Sequence, residues 1–441
     1  MVTGQRSTGL WRNRNFLKLW TGQTISVFGS QVTLLALPLV AVISLKATPF
    51  QMGILTAAGT VSWLLIGLFA GVWVDRLHRR PILIAADLGR ALLLVFVPIA
   101  ALLGILRIEE LYIIGFLVGA LTVFFGVAYP SFLPSLVQRE QLVEGNSKLE
   151  VSRSIAQIAG PGFGGILVQV FTAPLAIVVD VISFVISALF LSLVRVTESA
   201  PKPAEQHQSM RKEIIEGLRL VLENPLLRAM TFATATFNFF AAVAEAVFIL
   251  YATRQLGINP AALGLIFAIA GPGALLGAVT APQFTRKFGI GPTIAGSLLL
   301  LGIASLFIPL AGGPVIIAIS LLALSQLLLG FALPIYDVNV ISLAQGITPG
   351  HFLGRMNAST RFIYAGVGPI GALVGGILGG IVGLRFTLLI AAIGALLGFL
   401  WILLSPTWKV KGQPSSTGES EPTEQEGQRM EQEPLSSSKK E

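Results

Sequence analysis

Twelve long apolar stretches follow one another along the chain, and short polar segments separate them. Each stretch holds about the 20 apolar residues that a helix needs to cross a bilayer. The predicted spans are 17–44, 50–74, 81–104, 110–134, 145–171, 173–195, 226–253, 259–284, 290–311, 313–342, 353–382 and 384–406. The pattern predicts an all-α membrane protein with twelve transmembrane helices.

Composition supports this class and excludes several functions. Hydrophobic residues make up 54% of the chain and charged residues 12%, about half the charged fraction of a soluble domain. The chain has no cysteine, which excludes disulfides, iron–sulfur clusters and thiol catalysis. His78, His207 and His351 lie far apart, so neither a metal site nor a cofactor is expected. The first apolar run is too long for a cleaved signal peptide and is expected to be retained.

The net charge of +8 is distributed in a way that orients the protein in a membrane. With a cytoplasmic N-terminus, 23 of the 30 Lys and Arg residues lie at cytoplasmic ends and connections. Only Lys46, Arg107, Arg254 and Arg385 lie on the other side. This asymmetry follows the positive-inside rule, so both termini are expected in the cytoplasm and no nucleic-acid partner is expected.

Two motifs recur at nearly the same offset and indicate a duplication. Pro49-x3-Gly53 opens the second span and Pro260-x3-Gly264 opens the eighth, 211 residues later, while Arg153-x7-Pro161 recurs 208 residues later as Arg361-x7-Pro369. Two six-helix bundles in the same orientation are typical of parallel-repeat transporters. The predicted domains are a bundle over 1–195, a cytoplasmic linker with an interfacial amphipathic helix over 196–225, a bundle over 226–406 and a disordered tail over 407–441.

A charged turn lies between the second and third spans. Its features are Gly71, Asp75 and the bases Arg76, Arg79 and Arg80. A glycine, an acid four residues later and then a basic run resemble the signature loop of the major facilitator superfamily, although His78 stands where glycine is usual. Asp75 is expected to accept hydrogen bonds from a neighbouring helix N-terminus and to latch the halves together. The alternative is an ordinary positive-inside turn.

Glycines and a proline interrupt the fifth span and its duplicate. The residues are Gly160, Pro161, Gly164 and Gly165 in the fifth span and Gly368 and Pro369 in the eleventh. Proline removes a helical hydrogen bond, and glycine lets helices approach closely. The element resembles the antiporter motif of superfamily exporters, and ordinary helix packing is the alternative.

Several ionisable residues lie well inside predicted spans, where charge is costly and usually functional. They are Asp87, Arg90, Arg153, Asp180, Glu245, Asp337 and Arg361. Asp87 and Arg90 share a helix face and are interpreted as an ion pair. The two duplicate arginines are expected either to pair, with helix C-termini or Asp337, or to bind substrate. Glu245 and Asp180 are the isolated acids and thus the proton-coupling candidates, with structural pairing as the alternative.

Aromatic and hydrogen-bonding side chains occur together in three spans that are candidates for the cargo cavity. The candidate residues are Gln31, Thr33, Phe124, Tyr129, Asn238 and Phe239. This mixture suits a bulky amphiphile better than a sugar or an inorganic ion, although ordinary packing is an equal alternative. No phosphate-binding loop or catalytic arrangement is present in the sequence, so the chain is not expected to be an enzyme.

Three further motifs resemble the superfamily's subgroup of macrolide efflux proteins and the enterobactin exporter. They are Phe16-x3-Trp20-x2-Gln23-x2-Ser26-x2-Gly29, Leu133-Pro-Ser-Leu-Val137 with Gly145-Asn146, and Gly354-Arg355-Met-Asn357. The resemblance implies a monomeric exporter in the bacterial inner membrane, with a small-molecule substrate, protons and the lipid bilayer as its partners. A nutrient importer and a non-transporting receptor or scaffold are the alternative functions.

Overall fold

A computed structural model describes residues 10–196 and 210–412 of the chain. This part forms fourteen α-helices, joined by short turns and 3₁₀ or π segments, and contains no strand. The helices are α1 Arg14–Leu39, α2 Pro49–Arg76, α3 Arg79–Leu102, α4 Ile108–Phe132, α5 Leu142–Val170, α6 Ala173–Ser192, α7 Met210–Glu223, α8 Pro225–Leu250, α9 Pro260–Ala268, α10 Ala270–Phe288, α11 Ile290–Leu310, α12 Val315–Ile347, α13 Leu353–Ile381 and α14 Leu384–Leu403. The prediction of an all-α membrane fold is confirmed.

Each predicted span corresponds to one long helix or to the α9–α10 pair. In the part of the chain that the structure describes, eleven of these twelve segments are long and apolar enough to cross a membrane. The fifth, α5, has 29 residues but a polar first half that includes Glu144, Lys148, Glu150 and Arg153. It nevertheless packs against α1 and α9, as a helix of the bundle does.

The eighth span, expected as one helix over 259–284, begins at Pro260, breaks at Ile269 and continues to Phe288. Pro272 explains the break, because proline has no N–H to donate to the carbonyl of residue 268. Gly271 and Gly273 flank it, and both meet neighbouring helices closely.

The two halves repeat the same packing. In the first half, α1 contacts α5 and α6, α4 contacts α2 and α3, and α3 contacts α6. In the second half, α8 contacts α13 and α14, α12 contacts α10 and α11, and α11 contacts α14. Every pair in one half has its counterpart in the other, as an internal duplication requires.

The twelve membrane helices alternate in direction, so the start of α1, the end of α14 and α7 share one face. We call this the terminal face and the opposite one the distal face. On the distal face, α1 ends in the π segment Val40–Ser44 and α8 ends in the π segment Tyr251–Gln255. A left-handed residue follows each, Lys46 in one half and Gly257 in the other. These pairs have the 211-residue offset of the Pro-x3-Gly motifs.

The helix α7 lies in the predicted linker and packs against α13 and α8. Glu216 pairs with Arg355 of α13 at 2.6 Å, and Gly217 lets α7 approach closely, since a Cβ there would lie 2.7 Å from the Arg355 carbonyl oxygen. The helix α7 thus packs on protein at the start of α13, and its position at the membrane interface stays a prediction.

Candidate functional site

The two halves meet through two equivalent pairs of helices, α2 with α13 and α5 with α9. A Cβ at Gly53 would lie 2.9 Å from the Cα of Gly376, and one at Gly165 would lie 2.9 Å from the Cα of Gly264. Backbones can approach this closely only where side chains are absent. The duplicated Pro-x3-Gly motifs therefore form the contacts between the halves, a pairing that the sequence did not predict.

Apolar packing shows that the contacts between the halves are concentrated at the distal face. There a single core cluster joins both halves, with Leu39 and Met52 on one side and Leu250 and Leu263 on the other. At the terminal face each half has its own cluster, around Phe132 in the first and around Tyr336 in the second. The molecule is thus closed at its distal face, with separate cores at its terminal face.

The antiporter-like glycines lie at close helix contacts. The backbone of Gly160 packs on the Gln31 side chain, and a Cβ at Gly164 would lie 3.2 Å from the Val32 Cα. In the duplicate, Gly371 and Gly375 pack on backbone atoms of α8, while a Cβ at Gly368 would meet open space. Packing accounts for these contacts, and the link to export stays a prediction.

The charged turn places its bases at the terminal face. The Arg80 guanidinium donates from Nε to the Leu191 carbonyl at 2.9 Å and also donates to the Ser192 carbonyl. It therefore caps the C-terminus of α6, as a cation does favourably, and Arg79 begins α3 beside it. The side chains of Asp75 and Arg76 lie outside the described residues, as do any contacts of Gly71, so the latch stays a prediction.

A buried polar cluster lies inside the first half, between α1, α3 and α6. Asp87 and Arg90 form the expected ion pair, and the Arg90 guanidinium lies over the Phe184 and Phe125 rings, at 4.2 Å and 4.6 Å from their centroids. Asp180 is 1% exposed. It accepts hydrogen bonds from Ser183 at 3.0 Å and Ser30 at 3.4 Å, so it is not the isolated acid that the sequence indicated.

Glu245 lies on a face of α8 that looks into the molecule. Asn238 and Thr234 share this face at helical spacing, and Thr234 hydrogen-bonds the Tyr336 hydroxyl of α12 at 2.6 Å. The other faces of α8 are covered by α13 and α14. Glu245 is exposed and has no hydrogen-bond or ion-pair partner among the described residues. Glu245 is thus unpaired among the described residues, and its part in proton coupling stays a prediction.

The duplicate arginines occupy different surroundings. Arg361 lies over the Trp63 ring of the other half at 4.4 Å from its centroid, a cation–π contact that the sequence did not reveal because α2 and α13 are remote in the chain. Arg153 approaches Glu150 at 3.9 Å, and both side chains are largely exposed. Asp337 is exposed and forms no ion pair with either arginine in the part of the chain that the structure describes.

The cargo candidates are divided between the two halves. Gln31 contacts α5 at Gly160 and Thr33 lies beside Asp180. The Tyr129 ring stacks on Phe125, with 5.7 Å between the ring centroids, while its buried hydroxyl has no hydrogen-bond partner among the described residues. Phe124 stacks on Trp73, and Phe239 packs edge-on against Phe240 next to Asn238. The structure does not bring these six into one cluster.

Two surface cavities lie on the flank of the second half and contain none of these candidates. One, of about 310 Å³, lies between α10, α11 and α12 near Phe284 and Phe331. The other, of about 470 Å³, lies between the start of α8 and the end of α14, near Arg228 and Trp401. Both belong to one half, so neither is the site between the halves that a rocking transporter needs.

Known proteins share the sequence and the fold. Residues 8–431 match the family described as transmembrane secretion effector. The chain is 27% identical to the multidrug efflux pump Tap of Mycolicibacterium fortuitum, over 84% of this chain and 90% of that protein. It is 22% identical to macrolide efflux protein A of Streptococcus pyogenes, over 85% and 92% of the two chains.

Solved structures confirm the architecture. The nucleoside transporter NupG superposes with a TM-score of 0.71 at 14% identity, covering 88% of this chain and 98% of that one. A bacterial homologue of the iron transporter ferroportin, in its inward-facing state, gives a TM-score of 0.70 at 16% identity, over 89% and 98% of the chains.

Two pseudo-symmetric six-helix bundles that meet at one face define a transporter of the major facilitator superfamily. Within that superfamily, the chain belongs to the transmembrane secretion effector family.

Proposed function

We propose that this transporter exports bulky amphiphilic compounds, such as macrolides or related drugs, across the bacterial inner membrane. The observation that carries the proposal is the alignment, over more than four-fifths of the chain, with proteins named as multidrug and macrolide efflux pumps. Aromatic side chains interspersed with amides and hydroxyls in α1, α4 and α8 support an amphiphilic cargo.

Alternating access between the halves supplies the transport step. The excess of Lys and Arg at the terminal face favours a cytoplasmic location for that face, so the closed distal face points outwards. The observed shape is then open to the cytoplasm, ready to accept cargo from inside. Rocking the halves about the glycine contacts would close the terminal face and open the distal one.

Proton antiport is the energy source that we propose. Glu245 is a carboxyl on the inward-looking face of α8 without a basic partner among the described residues. A carboxyl in such a place can carry a proton in one conformation and lose it in the other, when rocking of the halves changes its access to water. Glu245→Gln should keep the fold and cargo binding but end uphill export and its pH dependence.

The test is an accumulation assay in a bacterial strain that lacks its own drug exporters. Cells that produce the protein should accumulate less ethidium and less erythromycin than cells with an empty vector, and a protonophore should abolish the difference. Glu245→Gln should behave like the empty vector, while Asp337→Asn serves as a control acid outside α8. Higher accumulation in producing cells would indicate an importer, and pH-dependent uphill export by Glu245→Gln would exclude Glu245 as the carrier.

A further inference from the structure

The polar cluster inside the first half has an unbalanced charge. It contains two carboxyls, Asp87 and Asp180, and one guanidinium, that of Arg90. Asp87 is 0% exposed, Asp180 1% and Arg90 5%. With both acids ionised, the cluster would carry one net negative charge in the middle of a helical bundle. A buried net charge is costly in a membrane protein, whereas one bound proton makes the cluster neutral.

Among the described residues, no other ionisable side chain supplies the balancing charge. The helices that surround the cluster are α1, α3, α4 and α6. From α1 come the hydroxyls of Ser30 and Thr33, and from α4 the ring of Phe125. Among the described residues, the charged groups that act on the cluster are its own three members alone.

Further hydroxyl groups face the two carboxyls. Ser187 is a side-chain hydrogen-bond partner of Asp87, and Thr33 is one of Asp180. The hydroxyl of Thr33 and Asp87 Oδ2 are both buried, where polar atoms are normally satisfied by protein or ordered water. The cluster therefore offers hydroxyl partners to an ionised and to a protonated carboxyl alike.

We infer that this cluster binds one proton at neutral pH and that Asp180 carries it. Asp87 is the acid that pairs with Arg90, so that pair is neutral by itself. Asp180 is bonded only to hydroxyl groups, which can donate to a carboxylate or accept from a carboxylic acid. Ser30 is half-buried and is the route by which the proton exchanges.

The role of this proton in export rests on the proposed function, but its presence can be tested without transport. The measurement is infrared spectroscopy of the full chain in liposomes, following the C=O stretch of protonated carboxyl groups and its shift in D2O. Every sample carries Glu245→Gln, so that the proposed carrier contributes no band. This parent should show a band at neutral pH that Asp180→Asn removes. Asp337→Asn, which changes an acid outside the cluster, should retain that band.

The variant Asp87→Asn tests whether the two acids share one charge balance. It leaves one acid with one base, so Asp180 should pair with Arg90 and release its proton. The same band should then disappear although Asp180 is still present. Retention of the band in Asp87→Asn would overturn the shared charge balance, and its retention in Asp180→Asn would overturn the assignment. If Asp87→Asn does not fold, Ser183→Ala and Ser30→Ala should each shift the frequency of the band, and an unshifted band would contradict the site.

If the infrared band is present but export does not depend on pH, the proton site stands and proton antiport is excluded. Conversely, proton-coupled export by a protein without this band would leave the proposed function intact and exclude the site. The two failures are therefore distinguishable.

Discussion

Thr172, the N-cap residue just before α6, has a φ of 142° and a ψ of 159°, a backbone conformation that is nearly restricted to glycine. Its duplicate 211 residues later is Gly383, the N-cap residue just before α14, with a φ of 88° and a ψ of 160°. The same turn is thus built with the suitable residue in the second half and with a β-branched residue in the first.

Thr172→Gly should stabilise the protein. Relief of strain worth roughly 1–3 kcal/mol, less the greater flexibility of glycine in the unfolded chain, gives a net gain of about 1 kcal/mol. Thermal unfolding in detergent should therefore occur at a higher temperature. The reciprocal change, Gly383→Thr, should lower it, and an unchanged or lower value for Thr172→Gly would show that the turn carries no strain.

At this scale the sequence predicted pairs that are close in the chain and missed those that are remote. Asp87 and Arg90 lie one helical turn apart, so their ion pair followed from spacing alone. The partners of Asp180 include Ser30, 150 residues away, and the partner ring of Arg361 belongs to the other half. Such neighbours depend on how helices pack, which spacing within one helix does not specify.

The starts of α2 and α9 lie within one residue of the predicted starts of the second and eighth spans, at 50 and 259. Thr48 and Asn259 cap α2 and α9, and proline follows each at the first helical position. The break before α10 has a visible cause in Pro272, yet hydrophobicity alone gave one continuous span. The seat of α7 on α13 could not be predicted, because an amphipathic pattern fits a lipid surface and a protein surface equally well.

The glycine contact between α5 and α9 should control the conformation. In Gly165→Leu the new side chain would overlap the backbone of α9, since even a Cβ would lie 2.9 Å from the Gly264 Cα. Overpacking of this kind costs about 1–3 kcal/mol, which is about 5–150-fold in the equilibrium between two conformations. The distal face should open, and export should fall accordingly.

Labelling of a cysteine at Ile266, which is buried at the distal core, reports this opening. Reaction with a maleimide should be faster in Gly165→Leu than in the parent. Gly380→Leu is the matched control, because a Cβ at Gly380 would meet nothing within 4 Å. Equal reaction rates in the two leucine variants would show that the glycine contact does not hold the distal face closed.

The ion pair between α7 and α13 should hold α7 in place. Glu216 and Arg355 are both about one-third exposed, so Glu216→Gln should weaken docking by only about 0.5–1 kcal/mol. Hydrogen exchange of the backbone amides should then accelerate about two- to fivefold in α7 and in the first turns of α13. The control is Arg219→Gln, which breaks the exposed pair of Arg219 with Glu223 inside α7. If both variants change α13 equally, the contact between the helices is not the cause.

The duplication extends to more features of the structure than the two sequence motifs indicated. The 211-residue offset recurs in the π segments, the left-handed residues, the helix caps and the glycine contacts. A sequence with two equivalent halves and two equivalent contacts can exchange one closed face for the other at little cost. The sequence predicted the two bundles. It did not predict which face is closed, because that depends on a small difference between two packings.

Two pairs of repeat-related residues should report that exchange. Leu77 and Phe288 are exposed at turns of the terminal face, one in each half, and Ile105 and Ile316 are exposed at turns of the distal face. Each member is 211 residues from its mate. The chain has no cysteine of its own, so spin labels can be attached to cysteines at these positions without a background, and distances between labels can be measured by electron spin resonance.

If the halves rock as rigid bodies, the two distances should change in opposite directions. Relative to the parent, Gly165→Leu should lengthen the distal distance between positions 105 and 316 and shorten the terminal distance between positions 77 and 288. Positions 77 and 105 lie in the same half, so the distance between them should stay constant and serves as the internal control. A lengthening of both inter-half distances together would mean that the halves separate instead of rocking, and a change within one half would mean that the bundles are not rigid.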